Sequence, residues 1–229
     1  MRKTIWKYVK RLLLFFFVST ILAVVAYRYI PVYITPLMVI RAIEAKQEGK
    51  DFDFHHKWVP IEKIAQNMPQ AVVASEDNLF MTHHGFDFTQ IKNAINESIS
   101  GKRNRGASTI SQQTAKNVFL WNGGGIVRKG LETYFTVLIE LLWSKERIME
   151  VYLNSIEMGN GIFGVEAVAQ QHFNKTAAKL TRNECALVAA TLPNPIKFSS
   201  KKPSKYMIKR RKQIVSLMKK IEKVPMGCE

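Results

Sequence analysis

The chain has 229 residues, 47% of them hydrophobic, enough for one domain of ordinary size with a real core plus an appendage. Its formal net charge is +16, but residues 1–11 carry five bases and no acid, residues 197–223 carry eleven bases against Glu222 alone, and residues 12–196 hold 18 bases and 16 acids. Any nucleic-acid arm, membrane-surface contact or plain solvated basic face is therefore confined to the two ends.

The first element in chain order is apolar. LLLFFFVSTILAVVAY, residues 12–27, holds sixteen residues without a charge, then Arg28 interrupts and YIPVYITPLMVI continues. As a helix those residues reach about 24 Å, slightly short of a ~30 Å hydrocarbon layer. Trp6, Tyr8, Tyr27 and Tyr29 flank the run as interfacial aromatics do, and Arg28 can snorkel. One spanning helix over about 6–30 is predicted, within an anchor segment 12–34. A cleaved signal peptide fits less well, because Ala23-Val24-Val25-Ala26 lacks a clean small-x-small pattern. The five bases ahead of the span put residues 1–11 in the cytoplasm and the chain from about residue 35 outside.

Residues 35–57 read as a connector, with an extended piece at DFDFHHKW; residues 58–223 read as the main domain and 224–229 as a tail. IEKIAQNMPQAVVASEDNLF gives two helical pieces, with Pro69 in the first turn of the second. Asp87 caps the next helix, whose apolar positions are Ile91, Ala94, Ile95 and Ile99. GKRNRGAS is a loop, Ser108-Thr109 open a helix running to about Lys116, and NGGGI breaks the chain before a long helix over 127–142. Ser144 caps another, GNGIFG turns, VEAVAQQHF is a short helix, and Thr181 with Glu184 forms a capping box before CALVAATL. A basic amphipathic helix over about 204–221 closes the domain. The fold class is mainly α, with at most a small hairpin. Cys185 is expected in the core and Cys228 at a fraying end, both unpaired.

Metal chemistry has little support: there is no HExxH and no paired CxxC, and adjacent His83 and His84 diverge on a helix. The GGG at 123–125 lacks the P-loop lysine and hydroxyl, and two SxxK matches lie in the basic tail without a KTG. Carboxylates remain. Glu76 follows the apolar AVVAS, where burial would raise its pKa toward that of a general base; a surface helix acid is the competing reading. Glu132 stands four residues after Arg128, and its competing reading is an i,i+4 ion pair. Between them RGASTISQQTAKN packs hydroxyls, amides and Lys116 at a helix start. There Ser108, Thr109 and free backbone N–H groups could hold an anion, Gln112 neighbours Lys116, and Arg128 and Lys129 add cations. One or two carboxylates facing a cationic, hydroxyl-rich pocket on a tethered domain suit a lipid-borne pyrophosphate sugar.

Five blocks, in order, resemble the family 51 peptidoglycan glycosyltransferases, most closely the monofunctional biosynthetic kind. They are Glu76-Asp77-x-x-Phe80-x-x-His83-x-Gly85-Phe86-Asp87; Gly106-Ala107-Ser108-Thr109-Ile110-Ser111-Gln112-Gln113 with Lys116-Asn117; Arg128-Lys129-x-x-Glu132; Lys145-x-x-Ile148-x-x-x-Tyr152-Leu153-Asn154; and, more loosely, Arg210 with Ile214-Val215. The resemblance implies a lysozyme-like helical domain with a smaller jaw lobe, lipid II and the growing glycan strand as substrates, and no nucleic-acid partner. It implies Glu76 as base on the acceptor hydroxyl and Glu132 as a second essential carboxylate. Asp77, Ser108, Thr109, Gln112, Gln113, Lys116, Arg128 and Lys129 fall on its substrate-binding side, and Phe80, His83, Gly85, Tyr152 and Asn154 on its structural side. No dedicated cofactor site is implied, only a magnesium or manganese ion accompanying the substrate pyrophosphate. With the predicted span it places the protein in the cytoplasmic (inner) membrane, single-pass, with the catalytic domain on the outer or periplasmic face. Other cell-wall or division proteins are candidate partners. One departure stands out: many relatives carry an arginine where this chain has Gly124, leaving the clamp one cation short, with Arg105 as a candidate substitute. No room remains after the fifth block for a transpeptidase domain. The rival readings are a lytic glycan-cleaving enzyme on the same scaffold and a non-enzymatic tethered binder using the basic C-terminal helix.

Overall fold

A computed structural model describes residues 2–49, 53–100 and 106–228. Helix α1, Arg2–Tyr29, is the predicted span, extended by several residues at its start. It is long and apolar enough to cross a membrane, with an 18-residue window of mean hydropathy 2.1 and Val24 as its buried residue. Its inner side lies along helix α6, Gly125–Leu142, where Phe16 and Phe17 meet the ring of Tyr134. The Thr20 and Tyr134 hydroxyls are 2.8 Å apart, and Trp143 Nε1 donates to Val24 O at 2.8 Å. The last turn of a helix leaves carbonyls without partners. Here Arg147 supplies them, donating to Tyr27 O at 2.8 and 3.1 Å and to Ile30 O, while its guanidinium lies over Trp58.

The connector holds a helix, and the described part of its DFDFHHKW stretch is extended as expected. Thr35 caps α2, Pro36–Gln47, with proline in its first turn, and His55–His56 forms strand β1. The remaining elements are α3 Asn67–Glu76, α4 Phe88–Ile99, α5 Ile110–Phe119, α7 Lys145–Ser155, strands β2 Glu157–Gly159 and β3 Ile162–Phe163, α8 Val165–Phe173, α9 Arg182–Ala189 and α10 Lys205–Met218. The strands form one sheet, order β1-β3-β2, in which β2 and β3 are the expected hairpin and β1 adds a parallel strand.

Helix α5 sits at the centre, packed on α6 and α7; α3, α9 and α10 form a second group. Phe119 stacks on Phe135 with centroids 4.5 Å apart, and Tyr152 and Phe80 are fully buried. This is the mainly helical, lysozyme-like body the resemblance implies. Helix α4 is exposed on this body: Asp87 caps it through Gln90 N at 2.8 Å, none of its residues is buried, and Phe88, Ile95 and Ile99 face outward.

Residues 224–228 are not a loose tail. Val224 and Met226 are buried, Val224 N donates to Gln70 Oε1 at 2.8 Å, and Cys228 exchanges backbone bonds of 2.7 Å with Ile64 and Gln66. Cys228 is therefore pinned rather than fraying, because its backbone pairs with the segment leading into α3. Cys185 is buried as expected, and both thiols are free.

Candidate active site

Glu76 is the last residue of α3. Four buried residues, Ala71 to Ala74, precede it, so the core fixes the helix that ends on it. Its carboxylate accepts from Ser75 Oγ at 3.1 Å and from Gln113 Nε2 of α5 at 3.3 Å. Burial pushes its pKa up. The Gln113 and Ser75 hydrogen bonds and the charge of Arg210 oppose that rise, and the neighbouring charge of Asp77 adds to it. Arg210 comes from α10 and reaches Ser75 O at 3.5 Å. Glu76, Ser75, Asn78, Ser108, Arg210 and Leu217 line an open cleft of about 220 Å³.

Asp77 also lies in the wall of this cleft, with its side chain buried. Its carboxylate accepts from His83 Nε2 at 2.9 Å and from Ile110 N, in the first turn of α5, at 3.0 Å. Gly85 N donates to His83 Nδ1 at 3.1 Å, which leaves the ring proton on Nε2, facing Asp77. Asp77 thus joins the end of α3 to the start of α5. Phe80 packs edge-on to His83, and Lys145 Nζ lies over its ring, 4.7 Å from the centroid. Gly85 has φ +88° and accepts from Thr109 Oγ1 at 2.7 Å.

Thr109 and Gln112 are both buried and engaged with each other. They form the capping box of α5, with Thr109 N donating to Gln112 Oε1 at 3.0 Å and Gln112 N to Thr109 Oγ1 at 3.2 Å. The Thr109 hydroxyl and the Gln112 amide oxygen are thus engaged at the helix start and with Gly85, whereas Ser108 is exposed in the cleft. Gln113 points to Glu76. Lys116, one turn along α5, is held by burial below the usual lysine range; attraction to Glu132 opposes that shift, and repulsion from Arg128 and Lys129 reinforces it.

Glu132 is buried on α6 and accepts from Arg128 Nη1 at 2.6 Å and from Lys129 Nζ. The i,i+4 ion pair is real, and it is part of a larger cluster of three cations around one carboxylate. That cluster does not line the Glu76 cleft; α5 links the two, since Gln113 and Lys116 are i,i+3 neighbours on one face of the helix, the first reaching Glu76 and the second near Glu132. Arg128 Nε is buried without a protein partner. Gly124 has φ +94°, and a Cβ there would lie 2.8 Å from Trp121 Nε1 and 3.0 Å from Arg128 Cβ. The loop conformation itself excludes a side chain at this position, and Arg105 lies outside the described residues.

Tyr152 and Asn154 are buried on α7. Asn154 brackets Val59, accepting from its N–H at 2.9 Å and donating to its carbonyl at 2.8 Å. Two contributors were not singled out for the site. Arg210 gave only the looser fifth block as a signal. Glu140 gave one weak hint, a lone acid in the apolar second half of α6; it accepts from Ser111 Oγ and from Lys145 Nζ at 2.8 Å. Among the described residues no group of three or more His, Cys, Asp or Glu is placed to hold a metal ion.

A desolvated carboxylate beside a cleft, steadied by amide and hydroxyl donors and linked along one helix face to a nest of cations, supplies the groups that transfer of a sugar away from an anionic leaving group calls for. That is the class of the glycosyltransferases. The transglycosylase family model matches residues 44–219, and the chain belongs to that family, the peptidoglycan glycosyltransferases. It is 60% identical over 223 residues to the biosynthetic peptidoglycan transglycosylase of Bacteroides thetaiotaomicron, covering 97% of this chain and 90% of that one. The proteins of the same name from Caulobacter vibrioides and Bdellovibrio bacteriovorus are 54% and 48% identical, over 85% and 93% of this chain and 82% and 86% of theirs.

Proposed function

We propose that this enzyme polymerises lipid II into glycan strands, with Glu76 as the general base. Glu76 would take the proton from the acceptor's GlcNAc 4-hydroxyl. That oxygen would form a bond to C1 of the donor MurNAc as the bond from C1 to the pyrophosphate oxygen breaks, inverting α to β and releasing undecaprenyl pyrophosphate. The observation that carries this reading is the position of Glu76, buried enough to have its pKa raised and open to a cleft. A carboxylate desolvated in this way is a stronger base than one in water.

Lys116, Arg128 and Lys129 would meet the charge developing on the leaving pyrophosphate, with Glu132 keeping the cations in place. A leaving group this good needs cations more than a proton, whereas glycan cleavage needs a protonated carboxyl to activate a poor one. The cluster therefore favours polymerisation over lytic cleavage. Both Glu132 oxygens already accept from Arg128 and Lys129, so a protein-held divalent ion does not fit here. A magnesium or manganese ion would be carried by the pyrophosphate oxygens. Ser108 and Arg210 would contact substrate in the cleft. In this reading α1 spans the cytoplasmic membrane with its basic start inside.

Glu76→Gln tests the mechanism. Polymerisation of lipid II by the full chain in detergent falls by at least about 100-fold, the lower range for a general base, while the circular dichroism stays native. A rate close to wild type would refute the role of Glu76.

A further inference from the structure

The hydrogen bonding around Glu76 contains one more group with no evident reason to be polar. Tyr152 lies on α7 at 0% exposure, its ring part of the hydrophobic core, where a phenylalanine ring has the same shape. Its hydroxyl is 3.1 Å from Gln113 Oε1. An amide oxygen only accepts, so the tyrosine donates. The same amide presents Nε2 to Glu76 Oε2 at 3.3 Å. The three side chains form a directed chain from α7 through α5 to the end of α3.

We propose that Tyr152 is a positioning residue that locks the Gln113 amide with its N–H side toward Glu76 and so keeps the base ionised and aimed. This rests on the reading of Glu76 as the base. A glutamine amide has two orientations of nearly equal shape. Flipped, Gln113 would set its carbonyl oxygen against the Glu76 carboxylate and its NH₂ against the tyrosine hydroxyl. The buried hydroxyl proton would then have no acceptor, at a desolvation cost. The flip is therefore disfavoured at both ends while the hydroxyl is present. Phenylalanine removes one end of the lock and keeps the ring. The amide can then turn its oxygen toward Glu76, which favours the protonated carboxyl.

The other groups facing Glu76 are Ser75 on its own helix, Arg210 from α10 and the adjacent Asp77. None of them touches the Gln113 amide in the hydrogen bonds described. Burial, with the charges of Glu76 and Asp77, keeps the Tyr152 phenol protonated throughout the working range, so it acts as a donor at every relevant pH.

The experiment is the pH–rate profile of lipid II polymerisation by the full chain, as kcat/KM, for the wild type, Tyr152→Phe, Gln113→Leu and the double variant. Tyr152→Phe shifts the acid limb upward by about half to one pH unit. The loss is about 3- to 10-fold below the limb and shrinks as pH rises. Gln113→Leu shifts the limb at least as far, and the double variant shifts it no further than Gln113→Leu alone, because both act through one amide. A Tyr152→Phe profile lowered equally at all pH values, or shifts that add in the double variant, would overturn the proposal. Should Tyr152→Phe fold poorly, Gln113→Leu still decides: an unmoved limb there overturns it as well. Glu76→Gln separates the two layers. An active Glu76→Gln removes the base and the positioning role together, whereas an inactive Glu76→Gln with an unmoved Tyr152→Phe limb removes only the latter.

Discussion

Replacing Gly85 by alanine tests how tightly the loop after Glu76 is held. At φ +88° an L residue pays about 1–2 kcal/mol for the left-handed backbone. The new Cβ would also stand 2.9 Å from Thr136 Cγ2 and 3.0 Å from Glu140 Cγ, where carbon atoms prefer about 3.5–4.0 Å. Neither neighbour yields freely. Thr136 is fully buried and its hydroxyl donates to Glu132 O at 2.7 Å, and Glu140 is held by Ser111 and Lys145. Overpacking against pinned groups costs about 1–3 kcal/mol, so the total is about 2–5 kcal/mol of the roughly 5–15 that a domain has. Thermal unfolding of the detergent-solubilised protein should show Tm lower by on the order of 10 °C. A drop below about 2 °C would refute the reasoning. Gly85→Asn divides the two causes, since asparagine tolerates the left-handed region but carries the same Cβ. It should remain destabilised, and a wild-type Tm for it would remove the packing half of the argument.

Three further outcomes follow from the same geometry. Because the Glu76 pKa is raised in the folded state, ionising it opposes folding, and that cost is absent below the ordinary carboxylate range and grows as pH rises through the native value. Glu76→Gln should therefore melt above the wild type at pH 8, with the gain vanishing below about pH 4; equal melting at both pH values would contradict the burial. Asp77→Ala leaves His83 and Ile110 N without their buried acceptor and should cost about 3 kcal/mol by denaturant titration, where a loss below 1 kcal/mol would place the carboxylate in solvent. Arg147→Ala removes the donors from the end of α1 and should broaden the distance distribution between spin labels at Leu22 and Val137, an unchanged width counting against the clamp.

Helix starts were legible because their chemistry is local. Asp87, Ser144, Thr181 and Ser204 each reach a backbone N–H three residues ahead, and that spacing is visible in the chain. What the polar run at 105–117 could not reveal is direction: Thr109 and Gln112 cap α5, Gln113 turns to Glu76 and Tyr152, and Ser108 is left exposed in the cleft. The pairing of β1 with β3 and the docking of 224–228 on Ile64–Gln66 join segments more than a hundred residues apart, with no periodicity to announce them. The same distance hid Arg210, brought to Glu76 only by the packing of α10 on α3. The triad of Glu76, Gln113 and Tyr152 was present in three separate motifs, but nothing in their spacing orders the donors and acceptors.

The clasp of Trp143 and Arg147 on the end of α1 makes this apolar helix a rigid post rather than a leash. At about 1.5 Å per residue its 28 residues reach roughly 42 Å, and Pro36 starts the next helix within seven residues of its end, so the chain holds almost no slack there. With α1 seated in a bilayer as proposed, the Glu76 cleft works at one altitude above the lipid. Anchored in that way, the enzyme would not lean out toward a distant wall layer. It would meet only what diffuses sideways to it in the membrane, and the finished strand would leave the cleft by moving away from a stationary machine.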